Sequence, residues 1–356
     1  MASDLHESLR SAAWEGRQRM TSRERVQRAL EFRTPDRVPR NLWRLPGIEM
    51  FRQQDLAEVL DAYPEDIAIT KGAYGKGQRE RGTRYKRGEI ASDEWGCEWY
   101  AAEDGVAGEV KDPPLTDITQ VHDLRPPYEI LADADFSSLQ NDRTTSETFL
   151  LGWTRVRPFE RMQFLLGTEN LFVELASPSA HFAYLREMLH EFFLEELTLW
   201  SQTQVDGLLF MDDWGSQHNL LISPTTWQTH FKPLYKDYCD LIHASHKFVF
   251  FHSDGQIASI YPDLIEIGVD ALNSQLFCMD IEELGRKYRG QITFFGEIDR
   301  QFILPFGAKH EVIQAVKRLK DVLWMPEGGI IAQCEFGLHD PTDNIKTVFD
   351  TWESLG

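Results

Sequence analysis

Residues 247–254 (Lys-Phe-Val-Phe-Phe-His-Ser-Asp) run five strand-forming residues straight into three that can hold a metal or a proton, and Gly255 follows at once. The pattern recurs at 291–299 (Gln-Ile-Thr-Phe-Phe-Gly-Glu-Ile-Asp) and at 329–335 (Gly-Ile-Ile-Ala-Gln-Cys-Glu). Short apolar runs bounded by turn residues, each followed by a helical pattern, predict βα units on a parallel sheet. Chemistry on such sheets gathers at the carboxyl ends of the strands. His252, Glu297 and Cys334 fall there and become the first candidates for function.

The rhythm extends in both directions. Thr21-Ser22-Arg23-Glu24 is a capping box that opens a helix to about Phe32, and 38–43 and 67–70 read as early strands. Residues 71–112 predict two or three antiparallel strands covering one mouth, and 113–142 a long connection. Regular units begin near Thr148: strands at 149–153, 207–211, 247–251, 270–273, 292–295 and 329–333, with helices between and after them. The segment from Pro224 to His246 reads as one helix interrupted at Pro233. Eight strands close naturally into a (β/α)8 TIM barrel, taken as a single domain over 1–356 with a leader (1–20) and a covering β insertion (71–142).

Composition narrows the function classes. With 57 acidic against 37 basic residues, the net charge of -20 repels nucleic acid and anionic membrane surfaces. No run of 18 apolar residues and no signal-peptide core is present, so a cytoplasmic location is expected. Cys97, Cys239, Cys278 and Cys334 have no tight spacing and point to neither a disulfide framework nor a zinc finger.

Several motifs taken together resemble the uroporphyrinogen decarboxylase-like superfamily. They are Thr21-Ser22-Arg23-Glu24-Arg25-Val26 with Pro35-Asp36-Arg37-Val38-Pro39, Asp212-Asp213-Trp214-Gly215, Phe251-His252-Ser253-Asp254-Gly255, Ile267-Gly268-Val269-Asp270-Ala271-Leu272-Asn273 and Phe295-Gly296-Glu297-Ile298-Asp299. The resemblance covers the chain from about residue 20 and implies the same barrel. One branch of the superfamily decarboxylates porphyrinogens without a cofactor and grips substrate carboxylates with an Arg-Gln-Ala-Gly-Arg element. Here that segment is Trp43-Arg44-Leu45-Pro46-Gly47, which keeps Arg44 and lacks the second arginine. The other branch, the cobalamin-dependent methyltransferases, binds zinc through a His-x-Cys pair and a last-strand Cys. The resemblance puts His252 and Cys334 at two of those positions and Asp254 in place of the middle Cys, with Glu297 able to substitute or add a ligand.

The implied function is a zinc-dependent methyltransferase. It would move a methyl group from a small methylated substrate, a methoxylated aromatic by preference, to the cobalamin of a separate corrinoid protein. A catalytic zinc takes His, Cys and carboxylate ligands and keeps one position open for the atom that loses the methyl. His252, Glu297 and Cys334 are the expected ligands, with Asp254 as the rival third. Asp212, Asp213 and Asp254 are the acid–base candidates; adjacent acids on a strand face opposite ways, so one of the first two enters the site and the other caps or pairs. Trp43, Arg44, Trp214, Asn273 and Gln275 are the expected substrate contacts; Arg40, Arg155, Arg157, Trp95, Trp99, Gln217 and His218 are weaker ones. Two other readings stand beside this one: a metal-free decarboxylase using Arg40, Arg44 and Asp66, and a non-catalytic corrinoid or tetrapyrrole binder. Assembly as a homodimer is open.

Overall fold

A computed structural model describes residues 20–139 and 146–355; the expected leader lies almost wholly outside them. Eight parallel strands form the barrel: β1 (Arg40–Arg44), β2 (Ile67–Lys71), β6 (Phe149–Trp153), β7 (Gly207–Met211), β8 (Phe248–Ser253), β9 (Ala271–Ser274), β10 (Thr293–Phe295) and β11 (Ile330–Phe336). Their lateral order is β1-β11-β10-β9-β8-β7-β6-β2. At the remaining seam, Asp66 N–H donates to Arg40 O (3.0 Å) and Asn41 Nδ2 to Ile67 O (3.3 Å). The ring is a TIM barrel, nearly closed at that seam. β3 (Ile90–Ser92), β4 (Glu98–Tyr100) and β5 (Glu109–Asp112) make a small antiparallel sheet within the expected insertion.

Because successive residues of a strand face opposite sides, each barrel strand divides its residues between the lumen and the helix layer. Ile67, Phe149, Leu151, Leu209, Phe250, Ala271, Phe295 and Ile331 fill the lumen, with Val26 and Leu30 of helix Ser22–Leu30 plugging its amino end. Thr21 Oγ1 accepts from Glu24 N–H (3.1 Å), as the capping box requires. Carrying the same parity two residues on places Asn41 and Trp43, His252 and Asp254, Asn273, Glu297, and Gln333 and Glu335 toward the carboxyl mouth. Leu42, Leu208, Phe210, Phe251, Leu272, Phe294, Ala332 and Cys334 belong to the outer core under the helices.

Two local expectations need correction. The segment from Pro224 is two helices, Pro224–His230 and Lys232–Ala244, which meet at Phe231; its buried ring packs edge-on against Trp214 at 4.7 Å. The last barrel strand does not end at 333 but runs to Phe336, buried throughout. That extension alters what Cys334 can do.

Candidate metal centre at the carboxyl mouth

Strand β8 delivers His252 to the lumen and β7 delivers Asp213 beside it. Nε2 of His252 lies 3.6 Å from Asp213 Oδ1 and 3.4 Å from Asp254 Oδ1. These three potential ligand atoms fall within 4.8 Å of one another. The loops bearing the two aspartates are stitched together: Asp254 N–H donates to the Asp213 side chain at Oδ1 (3.0 Å), and two backbone bonds follow, Gly215 N–H to Asp254 O (3.0 Å) and Gln256 N–H to Ser216 O (2.8 Å). Gly255 adopts φ +81°, and a Cβ there would sit 2.2 Å from the carbonyl carbon of Gly215. Only glycine tolerates both that conformation and that approach.

The imidazole is fixed from behind. Asn273 Nδ2 donates to Phe295 O (2.5 Å), so its Oδ1 is left to accept from His252 Nδ1–H at 2.6 Å. Nδ1 is thereby occupied, and Nε2 faces two carboxylates. Asp254 Oδ1 is buried and has no hydrogen-bond partner among the described residues. His252 Nε2 and two carboxylate oxygens, one of them buried without a hydrogen-bond partner, converge on one point, an arrangement that a bound cation would relieve. Residues that face a gap in this way fit a divalent metal, with an N, O, O donor set that zinc accepts.

Arg300 holds the outer carboxylates. Its guanidinium pairs with Asp254 and with Glu335 Oε1 (2.7 Å), and Nε lies 3.6 Å from Glu297 Oε1. Burial raises the Glu297 carboxyl well above its usual range, and nearby Glu335 adds to the rise. Glu335 is raised too, chiefly by burial, against the pull of Arg300. A cavity of about 100 Å³ opens here, lined by Gln217, Gln275, Glu297 and Arg300 among others. On the other side, Trp43 meets the His252 ring edge-on at 4.8 Å and Trp153 meets Trp43 at 5.1 Å.

The expected site residues therefore separate. His252 and the rival ligand Asp254 come together, Asp213 joins them, and Asn273 stands behind the ring. Glu297 faces Arg300 and lies outside the three-residue cluster. Cys334 does not complete a ligand set. As an outward residue of an unbroken strand it packs with Ala332 and Phe336 in the outer core, and burial pushes its thiol far above the ordinary range. The inward neighbour is Glu335, which sequence reasoning missed along with Arg300. The signal was available, since Gln333 and Glu335 are polar residues two apart in an otherwise apolar strand.

Asp212 is the outward partner of Asp213. Its carboxylate accepts from Phe159 N–H (2.7 Å), Glu160 N–H (2.7 Å) and Tyr235 Oη (2.6 Å), anchoring the amino end of helix Pro158–Leu166 rather than entering the mouth. Trp214 is likewise not a substrate wall. It is buried, stacks on Phe159 at 4.1 Å and donates Nε1–H to Tyr235 Oη (3.1 Å). Arg44 turns outward to Glu65, and Arg40 pairs with Glu353. Gln275 Oε1 accepts from Gly255 N–H (2.9 Å), supporting the loop that carries Asp254. Trp95 packs against Phe192 at 5.0 Å, and His218 lies exposed in the loop after β7. Trp99, Arg155 and Arg157 line a separate, larger pocket.

The chain is thus a TIM barrel with an imidazole–carboxylate cluster at its carboxyl mouth. The model of the uroporphyrinogen decarboxylase (URO-D) family matches residues 90–355, and the chain belongs to that family. No curated protein matches it closely in sequence. Among solved structures, a methyltransferase from Methanosarcina mazei superposes with TM-score 0.72 at 12% identity, covering 95% of this chain and 99% of its own. An endo-beta-1,4-xylanase from Gloeophyllum trabeum (TM-score 0.44, 9% identity, 89% and 96% covered) is too slight a likeness to bear on function. No helix among the described residues is long and apolar enough to cross a membrane.

Proposed function

We propose that this protein is a metal-dependent methyltransferase of the URO-D family, moving a methyl group from a small methoxylated aromatic to the reduced corrinoid of a separate partner protein. The observation that carries the reading is the gap between His252 Nε2, Asp213 Oδ1 and Asp254 Oδ1, with one buried oxygen lacking a partner. The whole-length structural likeness to a protein described as a methyltransferase supports it. A zinc ion held by these three residues would supply Lewis-acid stabilisation of the substrate oxygen that keeps the electron pair when the methyl departs. The chain's own residues do the rest. Asn273 holds the imidazole with Nε2 forward, Arg300 restrains Asp254, and Trp43 walls the position where an aromatic ring would lie.

The metal-free decarboxylase reading loses its binding residues. Asp66 and Arg40 sit at the amino end of the barrel, where Asp66 is enclosed by Arg25, Arg37 and Ser22.

The test is metal content of protein purified without chelator or metal resin, before and after incubation with zinc. It is paired with transfer from methoxyarenes to cob(I)alamin, followed by corrinoid absorbance. About one zinc per chain, lost in His252→Ala and Asp254→Asn, with transfer abolished in both, is the expected result. A protein that takes up no metal and transfers no methyl group refutes the proposal.

A further inference from the structure

A pocket of about 460 Å³ lies between the mouth and the small antiparallel sheet, walled by the ends of β2 and β6 and by residues 80–99. In a chain of net charge -20, its lining carries six cationic side chains against three carboxylates, Glu80, Asp93 and Glu94. Arg161, Arg155 and Arg157 are spoken for by Asp93 (2.7 Å), Glu94 (3.2 Å) and Glu160 (3.5 Å). Lys71, Arg81 and Arg84 have no acidic partner among the described residues. Among the described residues the Arg81 guanidinium donates only to the carbonyls of Gln78 (2.9 Å) and Glu80 (2.7 Å). The Arg84 guanidinium stands 4.8 Å from the Trp99 ring centroid, and the Lys71 ammonium 6.0 Å from that of Trp153. Aromatic faces hold these cations in place without neutralising them, and an arginine braced this way keeps donors for a planar anion.

Trp153 is also the link to the metal centre, because it touches Trp43, which touches His252. Trp153 lines the pocket, and its ring centre is two successive ring contacts, 5.1 and 4.8 Å, from that of His252. We infer that the substrate is an anionic arene whose acidic group is received by Lys71 and Arg84 while its methoxyl end reaches His252, Asp213 and Asp254. This deepens the methyltransferase reading and rests on it for the reaction, but not for the binding. In the transfer the C–O bond to the methyl breaks, its electron pair stays with oxygen, and the methyl forms its new bond to the reduced corrinoid of the partner. The anion at the far end does not take part; it sets orientation and selectivity.

Calorimetric binding of 4-methoxybenzoate and of neutral 4-methoxybenzyl alcohol to the zinc-incubated protein, in low and in 0.5 M salt (about), tests the inference. The benzoate is expected to bind at least about tenfold tighter, with the gap narrowing in high salt. Arg84→Met and Lys71→Met should each lower its affinity about tenfold and leave that of the alcohol unchanged. Equal affinities, no binding of either probe, or a preference that survives both substitutions overturns the inference. Tight Arg84-dependent binding of the benzoate without methyl loss to cob(I)alamin keeps the anion site and removes the methyl-transfer reading. Transfer from the alcohol as fast as from the benzoate does the reverse.

Discussion

Replacing Asp66 tests whether the amino-terminal motifs serve the fold rather than the reaction. Its fully buried carboxylate accepts from Ser22 Oγ (2.7 Å), Arg25 Nη1 (2.6 Å), Arg37 Nη1 and Nη2 (2.7 and 3.0 Å) and Arg40 N–H (2.9 Å). In Asp66→Ala, Arg25 keeps Asp36 at 2.5 and 2.8 Å, but Arg37 is left with only the carbonyl of Val38. Stranding a partly buried guanidinium and two neutral donors costs about 4 kcal/mol, toward the upper end for single substitutions. At about 2 °C per kcal/mol for a chain this size, the thermal midpoint falls about 8 °C. Burial works to raise the Asp66 pKa, yet the arginines and Ser22 outweigh it and hold the carboxyl below its ordinary value. Its contribution is therefore complete above the unfolded pKa near ~4 and is lost as pH falls through the lower folded value. Urea denaturation of both proteins between neutral pH and about pH 3 should show the stability gap closing in that acid window. A gap under ~0.5 kcal/mol at neutral pH, or one that persists unchanged in acid, would refute the argument. Metal content should not change in the folded variant.

Other substitutions probe the site and its surroundings. Gly255→Ala forces a β-carbon against Gly215 at a positive φ, so it should separate the two aspartate loops, cost about 1–3 kcal/mol and lose zinc; equilibrium dialysis and thermal melts read both. Cys334→Ala should cost about 1 kcal/mol as a small core truncation and leave zinc content untouched, the opposite of what a ligand would do. In the native protein a thiol reagent should reach Cys278 well before the buried Cys97, Cys239 and Cys334. His243 hydrogen-bonds Asp270 at 2.9 Å, which raises its pKa against the smaller opposing effect of burial. The stabilisation it gives is complete below about pH 6.5, the unfolded value, and fades as pH rises through the higher folded one; His243→Asn should flatten the stability curve across that window.

What was legible in the sequence and what was not follows from period. Apolar runs between turn residues were enough to place the eight barrel strands, because a strand buried on both faces appears as a continuous run whichever way it is turned. The same property hides which face is which. The strand read as 247–251 runs two residues further, to Ser253, but the polar residues after Phe251 were still read as belonging to the mouth, and His252 and Asp254 do lie on the lumen side. Where the end was placed three residues early, at 333 instead of 336, Cys334 was read as a ligand at the strand end when it is an outward strand residue, and Glu335 was passed over. Asp212 and Trp214 bracket Asp213, and both turn away from the mouth by the same alternation; Asp213 alone of the three reaches the imidazole.

Arg300 was invisible for a different reason. It lies beyond β10 in a loop with no period to read, and only charge balance points to it, because Asp254, Glu297 and Glu335 cannot share one mouth without a cation among them. The larger pocket escaped for the complementary reason. Lys71 ends barrel strand β2 beside Trp153, while Arg84 and Trp99 come from separate parts of the covering segment and join them only when the small sheet closes over the barrel. A chain this acidic leaves three cations in that one place without an ion pair among the described residues, and local sequence cannot show such an arrangement because it belongs to the assembled mouth.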